Sequence, residues 1–223
     1  MALRLPLLAF CAVFSTAVLL EAAGSALQGA APGLALALNP FDVTSRIAHV
    51  GSGFDEQGRL HDPALRRVLE IGRSLNPDDA RLTSLAGLVL QGDGDAEGAE
   101  RLFDRALAQS PTELVARLQK FVLEGRRGDW REAVRHAEII LRRYPERWEG
   151  IEPALGPMLS DPAAFTALME GIAGDPGLRQ RVLSSLAREP SGLTLALRAV
   201  QRWSDMQVPA LDSQVNFVTA RLN

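Results

Sequence analysis

Hydrophobic positions along the chain recur with the spacing of amphipathic α-helices. Over residues 78–91 and again over residues 96–109, apolar side chains return every three or four positions, which gives each segment one apolar face. A glycine-rich stretch, Gly92 to Asp95, separates the two segments and favours a tight turn. Long alternating runs of β-branched residues are missing from the sequence. The pattern therefore predicts an all-α chain in which these two helices form a hairpin.

Prolines divide the region around this hairpin into segments of equal length. Pro77, Pro111 and Pro145 follow one another at intervals of 34 residues, and each stands where a helix is expected to begin or end. Three small residues and one aromatic residue occupy the middle of the hairpin: Gly87, Ala99, Phe103 and Ala106. Small residues let two helices approach closely, and a large side chain beside them fills the space that they leave.

These residues resemble the pattern of the tetratricopeptide repeat (TPR) family. The small position of the family's first helix matches Gly87. Its small, aromatic, small and proline positions match, in order, Ala99, Phe103, Ala106 and Pro111. The resemblance implies a solenoid of stacked helical hairpins with a concave surface that binds protein partners. Any antiparallel helical hairpin would share the amphipathic pattern, so the recurring interval is what favours this assignment.

The next hairpin, over residues 114–147, matches the family less well. Ala133 holds the small position of its second helix and Pro145 closes it, but Ala137 stands where the family has an aromatic residue. In its first helix, Phe121 replaces the small residue. Arg117 and Lys120 occupy two positions of this helix that are usually apolar in the family. The apolar face of that helix is therefore rotated relative to the hairpin before it.

The rotation is expected to turn Leu118 and Val122 toward the concave groove of the hairpins. The residues that we expect to line this partner groove are Arg81, Ser84, Leu88, Gln91, Leu118 and Val122. Either a partner protein covers the groove or helices from the C-terminal part of the chain do. The packing positions of the two hairpins are Gly87, Ala99, Phe103, Ala106, Pro111, Ala133, Ala137 and Pro145.

The remaining segments are expected to extend or end the array of hairpins. Residues 24–38 are interpreted as a spacer, residues 39–147 as TPR-like hairpins, and residues 148–223 as degenerate repeats with a C-terminal cap. Asp-Pro pairs such as Asp161-Pro162 predict helix starts in the last part. The helix over residues 148–159 is expected to be short or kinked, because two prolines interrupt it.

An apolar run without charge, over residues 5–20, predicts membrane targeting within residues 1–23. Either the run is an uncleaved transmembrane anchor or it is a signal peptide that is cleaved near Gly24-Ser25-Ala26. Arg4 and the N-terminal amine precede the run, so the following chain is expected to face the periplasm in both cases. Cys11, the single cysteine, lies inside the run and excludes a disulfide within one chain.

Charge and residue chemistry narrow the classes of function. The net charge is −3 with no basic block, and aromatic residues make up 5% of the chain, which argues against nucleic-acid binding. We find no catalytic motif and expect neither a metal nor a cofactor. His136 with Glu132 is expected to be an exposed pair of side chains one helical turn apart. Three arginines on one side of a helix form a possible anion face: Arg131, Arg135 and Arg142.

The whole plan resembles membrane-anchored, divergent TPR-like proteins of alphaproteobacteria, some of which are encoded beside genes for surface-polysaccharide synthesis and export. The resemblance implies a non-catalytic scaffold at the inner membrane that binds envelope proteins, and a link to polysaccharide synthesis or export. The alternative is a periplasmic module that binds an anionic saccharide or lipid through the arginine face. A third alternative is self-assembly of the chain through its stacked ends.

Overall fold

The computed structural model describes residues 24–55, 57–188, 190–209 and 212–222. Within these ranges the secondary-structure elements longer than an isolated bridge are helices. The predicted membrane-targeting segment at residues 1–23 lies outside them. The all-α fold is confirmed. The α-helices are α1 (Pro32–Leu38), α2 (Val43–Gly51), α3 (Pro63–Leu75), α4 (Ala80–Gly92), α5 (Ala96–Gln109), α6 (Leu114–Arg127), α7 (Trp130–Arg143), α8 (Trp148–Ser160), α9 (Pro162–Gly171), α10 (Pro176–Leu186), α11 (Pro190–Asp205) and α12 (Asp212–Leu222).

The helices belong to two compact units, which divide the chain at residues 1–115 and 116–223. Aspartates begin most helices of the first unit, because a carboxylate accepts hydrogen bonds from the free backbone N–H groups of a first turn. Asp42, Asp62, Asp79 and Asp95 cap α2, α3, α4 and α5 in this way. The Asp62-Pro63 pair therefore begins a helix as its sequence predicts.

The hairpin of α4 and α5 is the most closely packed pair in the first unit. Gly87 lies against the ring of Phe103, and a Cβ built on this glycine would stand 2.5 Å from the ring atom Cε1. Ala99, Phe103 and Ala106 are fully buried. The prediction that small residues let these helices approach closely is confirmed, because a Cβ at residue 87 would overlap the ring of Phe103.

Helices α1, α2 and α3 precede this hairpin and pack in chain order, α1 on α2, α2 on α3, and α3 on α4. Gly33 of α1 faces the imidazole ring of His49, and Ala35 of α1 is fully buried. Arg46 of α2 is also buried, with its side chain lying on Gly72 of α3. The segment interpreted as a spacer, residues 24–38, thus includes a helix that packs on α2.

In the second unit, α9 packs on both α7 and α8, and α10, α11 and α12 pack on one another. The buried indole of Trp203 joins two of these helices, since its Nε1–H donates to the backbone oxygen of Met169 at 2.9 Å. Arg179 lies beside the same ring and is 1% exposed. Its guanidinium donates to the backbone oxygens of Ala173 and Pro209, which lie in the segments that follow α9 and α11.

The expectation of a short helix after residue 148 is wrong. Helix α8 runs for 13 residues and contains both prolines. Ile151 on one side of them and Met158 and Leu159 on the other are buried. Burial at both ends holds the segment helical although each proline removes one backbone hydrogen bond. Asp161 and Asp175 cap α9 and α10, and the proline after each occupies the first helical turn, as expected.

Candidate functional site

The predicted groove residues of α4 differ in their access to solvent. Arg81 is exposed, and Leu88 and Gln91 are partly exposed. Ser84 is fully buried, and its hydroxyl donates to the carboxylate of the buried Glu113. The expectation that Ser84 lines an open surface is therefore wrong for this chain. The whole middle of α4, from Leu82 to Gly87, is buried, so an accessible row survives only near the two ends of the helix.

Arg81 at the start of α4 is held in a fixed position. Its guanidinium pairs with Asp79 at 2.8 Å, the residue whose carboxylate also caps the helix. Hydrogen bonding to Asp79 raises the pKa of Arg81 above its ordinary value, and the charges of Asp42 and Glu113 act in the same direction. A partner that meets this end of α4 would meet an arginine already engaged by acidic groups, which weakens it as an anion site.

On α6, Val122 is 38% exposed and Leu118, one turn earlier, is partly exposed. These are the two predicted groove residues of the second unit. Lysine and arginine at usually apolar positions of this helix are accommodated by polar partners. Lys120 is buried and pairs with Glu124 at 2.9 Å, while Arg117 lies 2.9 Å from Nδ1 of His136.

The expectation that His136 is exposed is wrong, since the residue is 5% exposed on the inner face of α7. The Nη1 group of Arg117 donates to Nδ1 of His136, so this ring nitrogen must be unprotonated. Burial and the nearby charges of Arg117 and Lys120 lower the pKa of His136 to about 4. The imidazole therefore acts as a neutral acceptor inside the unit and is not part of a surface pair with Glu132.

A cleft that no pattern in the sequence indicates lies between α3, α4 and α5, within the first unit. Its volume is about 250 Å³. The side chains around it are Arg66, Leu69, Glu70, Arg73, Ala86, Val89, Leu90, Asp93 and Leu102. Leu69 and Ala86 are buried in its floor, and the charged residues stand at its rim. The amphipathic pattern placed these apolar residues on helix faces, but it could not show that three helices leave space between them.

One end of the cleft is fixed by an ion pair between α3 and the turn after α4. The two terminal nitrogens of Arg66 donate to the two carboxylate oxygens of Asp93 at 2.6 and 2.7 Å. The third nitrogen, Nε, donates to the backbone oxygen of Leu60 at 2.7 Å. Hydrogen bonds from Arg66 hold the pKa of Asp93 below its ordinary value. The expectation that Asp93 belongs to a turn is confirmed, and its carboxylate also joins two segments of the chain.

The loop before α3 completes this end of the unit. Phe54 and Leu60 form an isolated antiparallel bridge, and Asp55 accepts hydrogen bonds from the backbone N–H and the guanidinium of Arg59. His61 lies 2.9 Å from the same carboxylate. Backbone atoms of Gly58 and Arg59 pass close to Gly92 at the end of α4. The loop and the turn after α4 thus form one packed surface.

The packing residues of the second hairpin are placed as predicted. Ala133 is fully buried and Ala137 is 1% exposed on α7. The two prolines that end the hairpins, Pro111 and Pro145, are exposed. Pro145 begins a short 3₁₀ helix that ends at Arg147. The small residues therefore face the interior and the prolines lie at helix ends, which is the arrangement that the 34-residue interval predicts.

The three arginines of the predicted anion face are all exposed, but carboxylates accompany two of them. Arg135 pairs with Glu132 at 3.3 Å. Arg142 pairs with Glu138 at 2.8 Å and with Asp175 at 3.5 Å. The third, Arg131, lines a shallow depression of about 390 Å³ together with Trp130, Asp129 and Glu170. Acidic groups thus compete with any anion for this face.

Within the described ranges, no three histidine, cysteine, aspartate or glutamate side chains converge to hold a metal ion. Among the same residues, no helix is both long enough and apolar enough to span a bilayer. Comparison with known proteins gives no matching family model, no similar curated protein and no similar solved structure. A functional proposal for this chain therefore depends on its own residues and geometry.

Proposed function

We propose that this protein is a non-catalytic, TPR-like interaction scaffold that binds an envelope protein by accepting one of its apolar side chains in the cleft between α3, α4 and α5. The observation that carries the proposal is the cleft itself, which combines a buried apolar floor with a charged rim. Such a combination favours a protein segment that inserts an anchor side chain and surrounds it with polar contacts.

The size of the cleft favours a side chain over a free small molecule. Pockets for small molecules usually enclose about 300–1,000 Å³, and this cleft encloses about 250 Å³. That volume accommodates one leucine, phenylalanine or tryptophan side chain. Rim charges of both signs, Arg73 and Glu70 among them, would orient the flanking residues of the partner segment without selecting for a strongly charged ligand.

Rigidity of the cleft walls also supports a binding role. The close contact between Gly87 and Phe103 fixes α4 against α5, and the Arg66–Asp93 pair fixes the end of α3 to the turn after α4. A site whose walls are already ordered loses less conformational entropy when a partner binds. The second accessible apolar position that the sequence points to, Val122 of α6, would add a separate contact to the scaffold.

The 34-residue proline interval and the buried small residues of both hairpins support the assignment of the chain to TPR-like hairpins that stack as a solenoid. The apolar run at residues 5–20 supports attachment to the inner membrane, with the helical units in the periplasm. The family resemblance supports a link to the synthesis or export of surface polysaccharide, and we propose a protein of such an assembly as the partner.

The test is capture of the partner from gently solubilised membranes by the full-length protein and by three variants. Val89→Phe fills the cleft with a larger apolar side chain, Val122→Glu charges the exposed position of α6, and Val215→Phe makes the same change as the first at an exposed site on α12. We expect one protein in near-equal amount with wild type and Val215→Phe, and its loss with Val89→Phe.

The other outcomes distinguish binding at the cleft from binding at the exposed position of α6. Loss with Val122→Glu alone would move the binding site from the cleft to α6, and the scaffold function would stand. Capture of nothing by the wild-type protein, or of the same proteins by wild type and all three variants, would remove the basis for the scaffold function. Helical circular dichroism of each variant must equal that of the wild type, so that loss of capture is not loss of fold.

The alternative of an anionic saccharide or lipid bound at the arginine face has less support. Arg135 and Arg142 already pair with carboxylates of their own unit, and Asp129 and Glu170 line the depression beside Arg131. An anion would have to displace these groups. Salt-sensitive binding of an acidic polysaccharide that is lost in the double variant Arg131→Ala, Arg135→Ala would restore this alternative.

A further inference from the structure

We propose that α1 and the turn after it lie on the membrane surface, with Leu34 and Phe41 inserted among the lipid headgroups. This inference rests on the proposed function in one respect, because it requires residues 5–20 to remain as an uncleaved anchor. The two side chains are 62% and 78% exposed, the highest values among the large apolar residues in the described ranges. Leu34 and Phe41 lie close together in the sequence, and their position shortly after the apolar run at residues 5–20 identifies the surface that would cover them.

The first argument is the distance between the anchor and α1. Gly24, the first described residue, lies only four positions after Leu20, the end of the apolar run. At about 3.5 Å per residue, an extended chain of that length covers roughly 14 Å. Gly24 is buried, and a Cβ built on it would lie 3.5 Å from the backbone oxygen of Ala35 and 3.8 Å from Cβ of Asn39.

Gly24 therefore rests against α1 and the residue that follows it. Leu34 adjoins Ala35 in sequence, and Phe41 lies two residues after Asn39. A chain that leaves the bilayer at Leu20 thus places both exposed side chains near the membrane. The hydrocarbon core is bordered by a headgroup layer of roughly 5–7 Å on each side. A helix that lies in this layer buries apolar side chains there, and α1 also packs on α2, with its Ala35 fully buried.

The second argument is the absence of charge from this part of the sequence. Between Arg4 and Asp42 the only charged residue is Glu21. Residues 22–41 consist of alanine, glycine, leucine, two prolines and a few uncharged polar residues, with Phe41 at the end. Charged side chains would oppose insertion into the interface. Residues 22–41 contain none, so no charge has to lose its water when the segment enters the headgroup layer. Since no basic residue takes part, attachment would depend on apolar contact and would be insensitive to salt.

The third argument is that this segment is joined firmly to the first unit. The side chain of Gln28 donates to Asp42, which caps α2, at 2.9 Å. The guanidinium of the buried Arg46 donates to the backbone oxygen of Pro40, next to Phe41. The segment therefore cannot be a loose linker, and contact of Phe41 with lipid would fix the orientation of the first unit relative to the bilayer.

The experiment measures the environment of single labelled residues in the full-length protein. Cys11 is first replaced by alanine, and a polarity-sensitive fluorophore is attached to the single cysteine of Leu34→Cys, Phe41→Cys or the control Leu197→Cys. Leu197 is a comparable exposed apolar residue, 44% exposed on α11. Each protein is reconstituted in phosphatidylcholine vesicles, with and without a quencher attached to the lipid headgroups, and vesicle flotation reports membrane attachment.

We expect all three proteins to float with the vesicles. Labels at residues 34 and 41 should emit at shorter wavelength than the label at residue 197 and lose several-fold more intensity to the lipid quencher. Water-like emission at residues 34 and 41 in floating protein would overturn the inference and leave the anchor intact. Short-wavelength emission without lipid quenching would also overturn it, because a protein surface would then cover the two residues.

Two results concern the anchor and the control. Failure of the full-length protein to float would overturn the anchored form of the proposed function, and this inference with it. Equal quenching at residues 34, 41 and 197 would overturn the inference alone, since the whole chain would then adsorb to lipid without a preferred side. A repeat in high salt should leave the quenching at residue 41 unchanged.

Discussion

Gly87 lies so close to the ring of Phe103 that a methyl group on its Cα would stand 2.5 Å from Cε1 and 2.9 Å from Cδ1. The ring is fully buried and cannot move aside at low cost. Replacing glycine by alanine inside a helix normally adds about 1 kcal/mol of stability. An additional methyl group in a packed core costs about 1–3 kcal/mol.

We expect the overlap to outweigh the helix propensity, so that Gly87→Ala lowers the free energy of unfolding by about 1 kcal/mol or more. Gly125→Ala in α6 is the matched control, because its Cβ would stand at an ordinary 3.4 Å from the indole of Trp130. That variant should be neutral or slightly stabilised. Circular dichroism during thermal unfolding measures the stability of both variants relative to the wild type. A stabilised Gly87→Ala variant would contradict the close packing.

A double variant tests whether the ring is the cause. Combining Gly87→Ala with Phe103→Leu should cost less than the sum of the two single changes, because the smaller side chain leaves space for the new methyl group. Additive losses would mean that the alanine is opposed by something other than Phe103.

The three donors of Arg66 connect α3, the loop before it and the turn after α4. Lysine keeps the positive charge but cannot donate to Asp93 with two nitrogens while a third reaches Leu60. We expect Arg66→Lys to lower stability by about 1 kcal/mol, the upper range for a partly exposed ion pair. Hydrogen exchange of the amides at residues 54–60 should become faster.

Arg67→Lys, one residue later on the exposed side of α3, is the control for this change. It should leave both the unfolding temperature and the exchange of the loop as in the wild type. Equal effects of the two substitutions would show that the contacts of Arg66 contribute nothing specific.

His136 should make the stability of the protein depend on pH below neutrality. In the folded protein its pKa is lowered from 6.5 to about 4 by burial and by the charges of Arg117 and Lys120. Between these two values the unfolded chain binds a proton that the folded chain does not, so stability falls as the pH decreases through this window. The full contribution of the neutral ring is present above pH 6.5.

We expect a loss of about 2 kcal/mol from this residue across the window, given about 1.4 kcal/mol per pKa unit and a reduction for partial access of water. His136→Gln keeps a hydrogen-bond acceptor for Arg117 and does not titrate. Denaturant unfolding of both proteins at several pH values should give a shallower slope for the variant. Parallel curves would show that His136 is not the group responsible.

The indole of Trp203 supplies the next test, in the second unit. Trp203→Phe keeps most of the apolar area but removes the Nε1–H that donates to the backbone oxygen of Met169. Leaving a buried carbonyl without this donor should cost about 1–3 kcal/mol. Trp130→Phe, at a partly exposed tryptophan of α7, should cost less. Equal changes in unfolding temperature would indicate that the hydrogen bond is unimportant.

The sequence predicts the helices well, because capping residues and apolar spacing act locally. Residues 96–109 were expected to be one helix, and α5 has these bounds. Close packing at Gly87 was also predictable, since a glycine inside an apolar helix indicates the close approach of another element. In each case the information lies within one or two turns of the residue concerned.

Features that depend on distant residues were not predictable in the same way. Ser84 has the position of a surface residue in a helical repeat, but Glu113, 29 residues later, covers it. The sequence predicts that His136 is exposed beside Glu132. In the structure it is buried and accepts a hydrogen bond from Arg117 of another helix. The cleft requires the relative positions of three helices, and no spacing within a single helix contains that information.

Helix α1 packs on α2, and its Ala35 is fully buried. Two further contacts hold this segment, since Gly33 lies against the imidazole of His49 and the side chain of Gln28 donates to Asp42. Another helix could pack on the same surface of α2 only after these contacts had been broken. That surface of α2 is therefore closed to a partner protein as long as the first unit stays folded.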